Sequence, residues 1–492
     1  MSRLQIEDPQ NDHRSTALVL LCGLAALAIV GFVLVFGSLH EWRLAGLNPA
    51  SSTLNQFTAI LLTCIALIVP LTSNLYSPRL VKLYVTHPMI VAGLAILVLS
   101  HLLTLAVNAL PKGHAIEKPL AAAISVCFLI VMAGTLPFLY TVSQFLRPAY
   151  FVPELARKGV RDIHALGQGA SGSYRRTKGL FETIDVVANI ALTGMHRGDR
   201  QLVLRALGAL HQLLAEFVVD GATGNSAWRS KRPCFVPGIA REGQEYLVRN
   251  QVWPEAYVLA QMLRVMEMTT SGQHEMLAEL ASQLVETAQL ACLCGRKKVT
   301  ELHVMTFNSL MREALEDKDL RQFQNLSYHY RLLIEALHEN PEQMHDAAQH
   351  LLHYGNLSAQ QNLHFGLETV IYDMGEMVLS LGSHHEERAV ELFQTWAGPL
   401  WQDAIAPNSA TQKAGWRVIV KVYWEAKARR MERLAESLFW RFLSDETIHR
   451  EHVELILDEN RELHYEFNDR LMRFAHLSPE AEALARPFTE EY

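Results

Sequence analysis

Residues 17–37 read ALVLLCGLAALAIVGFVLVFG, without a single Asp, Glu, Lys or Arg. A helix rises about 1.5 Å per residue, so roughly 20 apolar residues have the length to cross hydrocarbon. Three more runs free of those four residue types follow at 57–76, 89–110 and 119–141. Together they predict a four-helix transmembrane bundle over 17–146, behind a cytoplasmic tail at 1–16. The charges of Glu7, Asp8 and Asp12, with the long apolar run after them, fit an uncleaved first span.

Basic residues set the expected orientation. Arg3 and Arg14 precede the first run, Arg79 and Lys82 separate the second from the third, and Arg147, Arg157, Lys158 and Arg161 follow the fourth. The remaining two connections hold Arg43, Lys112 and Lys118. Positive charge collects on the cytoplasmic side, so both termini are expected there.

Whole-chain averages blend two unlike regions: 492 residues, 50% hydrophobic, net charge -7. That mild negative charge, with no long segment dominated by Lys and Arg, argues against a general nucleic-acid binder. Cys22, Cys64 and Cys127 fall inside apolar runs, while Cys234, Cys292 and Cys294 form no regular framework, which suits a reducing compartment.

Past Pro148 and Pro153 the pattern turns helical. Leu326, Tyr330, Leu333 and Leu337 make one apolar stripe, and Leu284, Ala288 and Ala291 part of another. Gly198, Asn340-Pro341, Gly355-Asn356, Gly382 and Ala406-Pro407 are expected stops. The fold class is therefore all-α, with a membrane-proximal helical region at 147–220, an irregular linker at 221–240 and a cytoplasmic helical array at 241–492. The linker holds Trp228, Arg229, Lys231, Arg232, Pro233 and Pro237. Helix pairs of similar length suggest a solenoid-like or bundle domain, although no fixed period or consensus is visible.

Tyr76-Ser77-Pro78-Arg79-Leu80 closes the second run, and Asp185-Val186-Val187-Ala188-Asn189-Ile190-Ala191-Leu192 forms a helix further on. With the four-span layout, these segments resemble an uncharacterised family of bacterial membrane proteins, domain-of-unknown-function family twenty-two fifty-four, over roughly residues 15–215. The resemblance implies a multi-pass protein of the bacterial inner membrane and transfers no activity. The family's Ser-Pro-Gly-like turn with Asn-Asp is replaced here by Met195-His196-Arg197-Gly198-Asp199, so Asp199 alone carries over.

Ionisable groups inside spans are costly and usually functional, which singles out His101 with Asn108. Thr72, Ser73 and Asn74 at the end of the second span could line a pore or pack helices. Arg79 and Lys82 suit a lipid headgroup or simple anchoring at the membrane surface. Among 22 histidines, Asp346, His350, His353 and Asp445, His449, His452 repeat one spacing. Residues at i, i+4 and i+7 share a helix face and could offer ligands to zinc or simply face solvent. Cys292-Leu293-Cys294-Gly295 reads as core cysteines at a helix end, and His384-His385-Glu386-Glu387 as a helix start. Gly167 to Gly172 lack the Gly-Lys-Ser/Thr of a phosphate loop and read as a hinge, with Arg175, Arg176 and Lys178 facing the membrane surface. No cofactor, small-molecule substrate or enzyme motif is expected. The partners expected are membrane lipids and a protein or a second copy of the chain, as for a scaffold or assembly component. The alternative is an oligomeric ion channel with a cytoplasmic regulatory domain.

Overall fold

The computed structural model describes residues 148–169, 173–223, 226–230, 234–267, 274–402, 410–444, 446–461 and 476–490, with scattered helical positions between 56 and 106. The chain divides into two compact units, Met1–Glu154 and Leu155–Tyr492. Among the described residues all regular structure is helical.

In the first unit, Gln56, Thr58, Ala59, Thr63 and Ala66 are helical, as are fourteen-residue-spaced Val91 and Leu105 with Val98 and Leu102 between them. Val98, Leu102 and Leu105 share a helix face and stand 59%, 58% and 69% exposed. Most of the four apolar runs, with Thr72, Ser73, Asn74, Arg79, Lys82 and Asn108, lies outside the described residues.

The helix α1 (Pro148–Gly167) begins in the first unit and continues into the second, where α2 (Ser173–Arg197) leads into α3 (Arg200–Thr223), a one-turn 3-10 helix (Ser226–Ser230) and α4 (Arg241–Arg249). There follow α5 (Trp253–Met266), α6 (His274–Leu293), α7 (Lys297–Glu316), α8 (Leu320–Ala336), α9 (Pro341–Gln360) and α10 (His364–Gly382). The chain continues through α11 (Glu386–Gln402), α12 (Ala410–Ala428), α13 (Glu432–Leu438), a π turn (Phe439–Leu443), α14 (Glu446–Arg461) and α15 (Pro479–Glu490).

Two rows of helices stack side by side. One row runs α3, α6, α8, α10, α12 and the other α5, α7, α9, α11, α13, each helix packing on its neighbours within the row and on the adjacent helix of the other. Helices of the second row start at Trp253, Lys297, Pro341, Glu386 and Glu432, a spacing of about 45 residues that falls in the range of α-solenoid repeats. The core lies between the rows. Leu326, Tyr330, Leu333 and Leu337 are all buried there, as are Leu284, Ala288 and Ala291. The helices α14 and α15 close the stack against α12. Because α2 and α3 pack on α5, and α3 also on α6, the irregular stretch at 221–240 interrupts the sequence without dividing this unit.

Among the described residues α3 alone is long and apolar enough to cross a membrane. Its Leu207, Leu210, Leu213, Leu214 and Phe217 are fully buried, the pattern of a core helix.

The short connections share one device. Gly198, Gln251, Gly295, Lys318, Asn362 and Arg430 adopt positive φ just after a helix. The next N–H then bonds back five residues, as Asp199 to Gly194 (2.9 Å), Arg296 to Ala291 (2.8 Å) and Asp319 to Ala314 (3.0 Å). This satisfies carbonyls that the helix end leaves open. A side chain at Lys318 (φ 55) is strained there, so Lys318→Gly should raise the stability of the full chain by about 0.5–1 kcal/mol. Lys318→Val should lower it, and a thermal melt of the three proteins checks the order.

Two expected stops behave differently. Pro341 opens α9 at its first position, where its missing N–H costs nothing. Gly355 and Asn356 do not end a helix: both lie inside α9, and Gly355 lets α10 approach closely. A Cβ on Gly355 would stand 3.0 Å from Val370 and 3.2 Å from Leu367. Ala406 and Pro407 fall outside the described residues.

Candidate functional site

The buried charges of the second unit concentrate where the irregular stretch meets the stack. Arg229, in the 3-10 turn, is 1% exposed and Glu255, in α5, is fully buried. Arg229 Nη1 donates to both Glu255 oxygens (2.8 and 3.0 Å) and to the Gln251 carbonyl (3.2 Å). Its Nη2 donates to the Phe217 carbonyl (2.7 Å) and to Asp220 Oδ2 (3.2 Å). Arg296, just ahead of α7, adds a second guanidinium to Glu255 at 3.0 Å. Gly221 makes room for it, since a Cβ there would run into the Arg296 guanidinium.

Two cations thus face two anions. Burial raises the Asp220 carboxyl, with Arg229 pulling it back down, and burial lowers Arg296 while Glu255 supports its charge. Aromatic rings wall the cluster: the Arg229 guanidinium lies 4.9 Å over the Trp228 ring, and Trp253 Nε1 donates to the Arg229 carbonyl at 2.7 Å. Phe181 packs against Trp253 and Tyr257 at 4.8 and 4.9 Å between ring centres. Every charge is met by an opposite one, so the cluster suits holding the 3-10 turn on the stack rather than attacking a substrate.

A second polar series runs through one row. Ser327 (α8) donates to Asp373 (α10) at 2.5 Å, and Ser380 (α10) donates to Glu335 (α8) at 3.0 Å. Lys421 (α12) donates to Glu376 (α10) at 2.6 Å. Desolvation pushes the Glu376 carboxyl up, but the Lys421 ammonium with Arg331 and Arg429 together outweigh it and leave the group below its ordinary value. Burial holds Glu335 above its ordinary value. Glu425 accepts from Arg429 (3.2 Å) and from the Ser478 backbone N–H (2.6 Å), tying the approach to α15 onto α12.

Among the described residues no three or more His, Cys, Asp or Glu side chains are placed to hold a metal ion. Asp346, His350 and His353 lie exposed along one face of α9. His449 is 1% exposed, set among Phe488 (4.5 Å), Tyr423 (5.2 Å) and Trp424 (5.7 Å), and His452 stacks on Trp416 at 5.1 Å. Burial lowers the His449 pKa to about 4. Those rings turn the two histidines into packing groups, whereas Asp445 is outside the described residues. Sequence spacing could place the trio on one face but not tell which residue type surrounded it.

His303 escaped the sequence reading altogether. It is fully buried, with Nδ1 2.8 Å from the Val299 carbonyl and Nε2 2.8 Å from Thr287 Oγ1. One neutral tautomer satisfies both, donating to the carbonyl and accepting from the hydroxyl. His101, in the first unit, has Nε2 3.5 Å from Thr58 Oγ1. Asp199 accepts from the Leu202 N–H at 3.1 Å, capping α3. Cys292 lies at the end of α6, its thiol pushed up to about 11 by burial and then by Glu339, which keeps it a poor nucleophile. Glu386 and Glu387 do open α11.

Among the described residues, large side chains that stand outward include Leu293 (82% exposed), Trp440 in the π turn (74%), Met305 and Leu484. A half-open cleft of about 250 Å³ at the α2–α3 turn is lined by Gly194, Met195, Gly198, Val203 and Met276 and crossed by the Arg200–Glu275 ion pair.

No family model, curated protein or solved structure matches the chain. Function is therefore inferred from its own residues.

Proposed function

We propose that the chain is a multi-pass protein of the bacterial inner membrane whose cytoplasmic helix stack is a docking scaffold for a protein partner or further copies of itself. The observation that carries this reading is the two-row stack itself. A solenoid-like array presents a long continuous surface, and here its buried charges are spent internally while Trp440 and Leu293 face outward. Membrane residence rests on the four apolar runs and on the outward Val98, Leu102 and Leu105, which water would not favour but lipid would.

Extracted from its native membrane in a mild detergent, the protein should run as a particle heavier than one 55.4 kDa chain with its detergent. Trp440→Ala together with Leu293→Ser should shift it toward the single chain without altering its helix content. A particle that is monomeric from the start, with no companion protein, would remove the basis for a scaffold.

The ion-channel reading has one observation in its favour, the Thr58–His101 pair at 3.5 Å between apolar segments. Conductance in planar bilayers that changes with His101→Leu would support it, and silence over a range of voltages and ions would count against it.

A further inference from the structure

The helices α1 and α2 carry a charge that the rest of the unit does not. Over their length they hold Arg157, Lys158, Arg161, Arg175, Arg176, Lys178 and Arg197 against Glu154, Asp162, Glu182 and Asp185. The overall net charge is -7, so this hairpin is opposite in sign to the whole.

The structure gathers these cations from both helices. Arg176 Nε reaches Asp162 Oδ1 at 3.8 Å across the hairpin. Burial raises the Asp162 carboxyl, and Lys158, Arg176 and Arg161 in turn draw it down, so three positive side chains converge on one negative one. Lys158, Arg175 and Lys178 are exposed on the hairpin, and Tyr174 stands 67% exposed beside Arg175. The next acid on α2 is the exposed Glu182, a turn beyond Lys178. Such a surplus is well matched to a sheet of phosphates. An exposed tyrosine has the amphipathic ring that settles at headgroup level.

We propose that this hairpin face is a docking surface for the anionic phospholipid headgroups of the membrane in which the chain resides. The inference rests on the membrane reading above and adds to it a lipid preference and the residues that create it. Each Lys or Arg near an anionic leaflet is attracted to it over about a Debye length, so several together give strong selectivity for acidic lipid. A phosphatidylcholine surface, with no net charge, would hold the face far less.

The full chain is placed in lipid nanodiscs of phosphatidylcholine alone, or with about one-quarter phosphatidylglycerol. Lysines are then labelled briefly with an amine reagent and read by mass spectrometry. Labelling of Lys158 and Lys178 should fall about fivefold in the acidic discs and return at high salt. Exposed Lys297 and Lys318, on the stack, should label equally in both. Arg175→Glu with Arg176→Glu should abolish the lipid dependence at Lys158 and Lys178. Equal labelling of those two in both discs overturns the proposal. So does equal protection by inorganic phosphate in phosphatidylcholine discs, which would assign the site to a free anion. Failure of the chain to enter discs of either composition would instead defeat the membrane reading, and this inference with it.

Discussion

Arg229→Met is expected to destabilise the second unit by about 3–5 kcal/mol, because it leaves buried anions without their cation. The substitution removes donors to Glu255, Asp220, the Phe217 carbonyl and the Gln251 carbonyl in one step. Arg296 stays to meet Glu255, but Asp220 is left without its guanidinium, and two carboxylates then share one cation. Arg229→Lys should recover little, since a point charge cannot serve acceptors on several sides as the planar group does. Adding Asp220→Asn and Glu255→Gln to Arg229→Met should restore a large part of the loss by removing the orphaned charge. Thermal unfolding of the detergent-solubilised full chain, followed by helix signal, gives the comparison. A loss of less than about 1 kcal/mol for Arg229→Met would mean that the cluster is not a structural pin.

Acid should act through His303 and His449. Burial lowers each to a pKa of about 4, against an ordinary value of 6.5. The unfolded chain therefore binds more protons than the folded one between those values. Stability is full above pH 6.5 and falls as the pH drops toward 4, by up to about 3 kcal/mol for each residue. Burial lowers His211 as well, and His211 lies close enough to His303 to act on it. His303→Gln keeps a side chain that can meet Thr287 and the Val299 carbonyl but takes no proton, so it should flatten the acid limb of the profile. Melting temperatures at pH 7 and pH 5 for the two proteins test this. An unchanged difference between the two pH values would show that His303 stays protonated, or unprotonated, in both states.

The helical character of the second unit was legible because its apolar positions recur every three or four residues, and Leu326 to Leu337 are buried as that spacing requires. The repeat of about 45 residues was not, because it lives in geometry. Each turn reaches the same positive φ with a different residue: Gln251, Gly295, Lys318, Asn362 and Arg430 show no common letter. Gly355 misled for the opposite reason, since a glycine that admits a neighbouring helix looks in sequence like one that ends its own. The histidine trios shared a spacing without sharing surroundings, and only packing showed one on solvent and one among rings. Arg229 read as one more basic residue in a loop. What gives it weight is Glu255, twenty-six positions later and fully buried, a partner that no local pattern reveals.

In the two-row stack, each helix pair packs chiefly on the pair before it and the pair after, among the described residues. Such an arrangement behaves as a spring: small rotations at successive joints accumulate along its length, and no single joint needs to open. Force applied at the α14–α15 end would be felt first as bending, then as stepwise unravelling from that end inward.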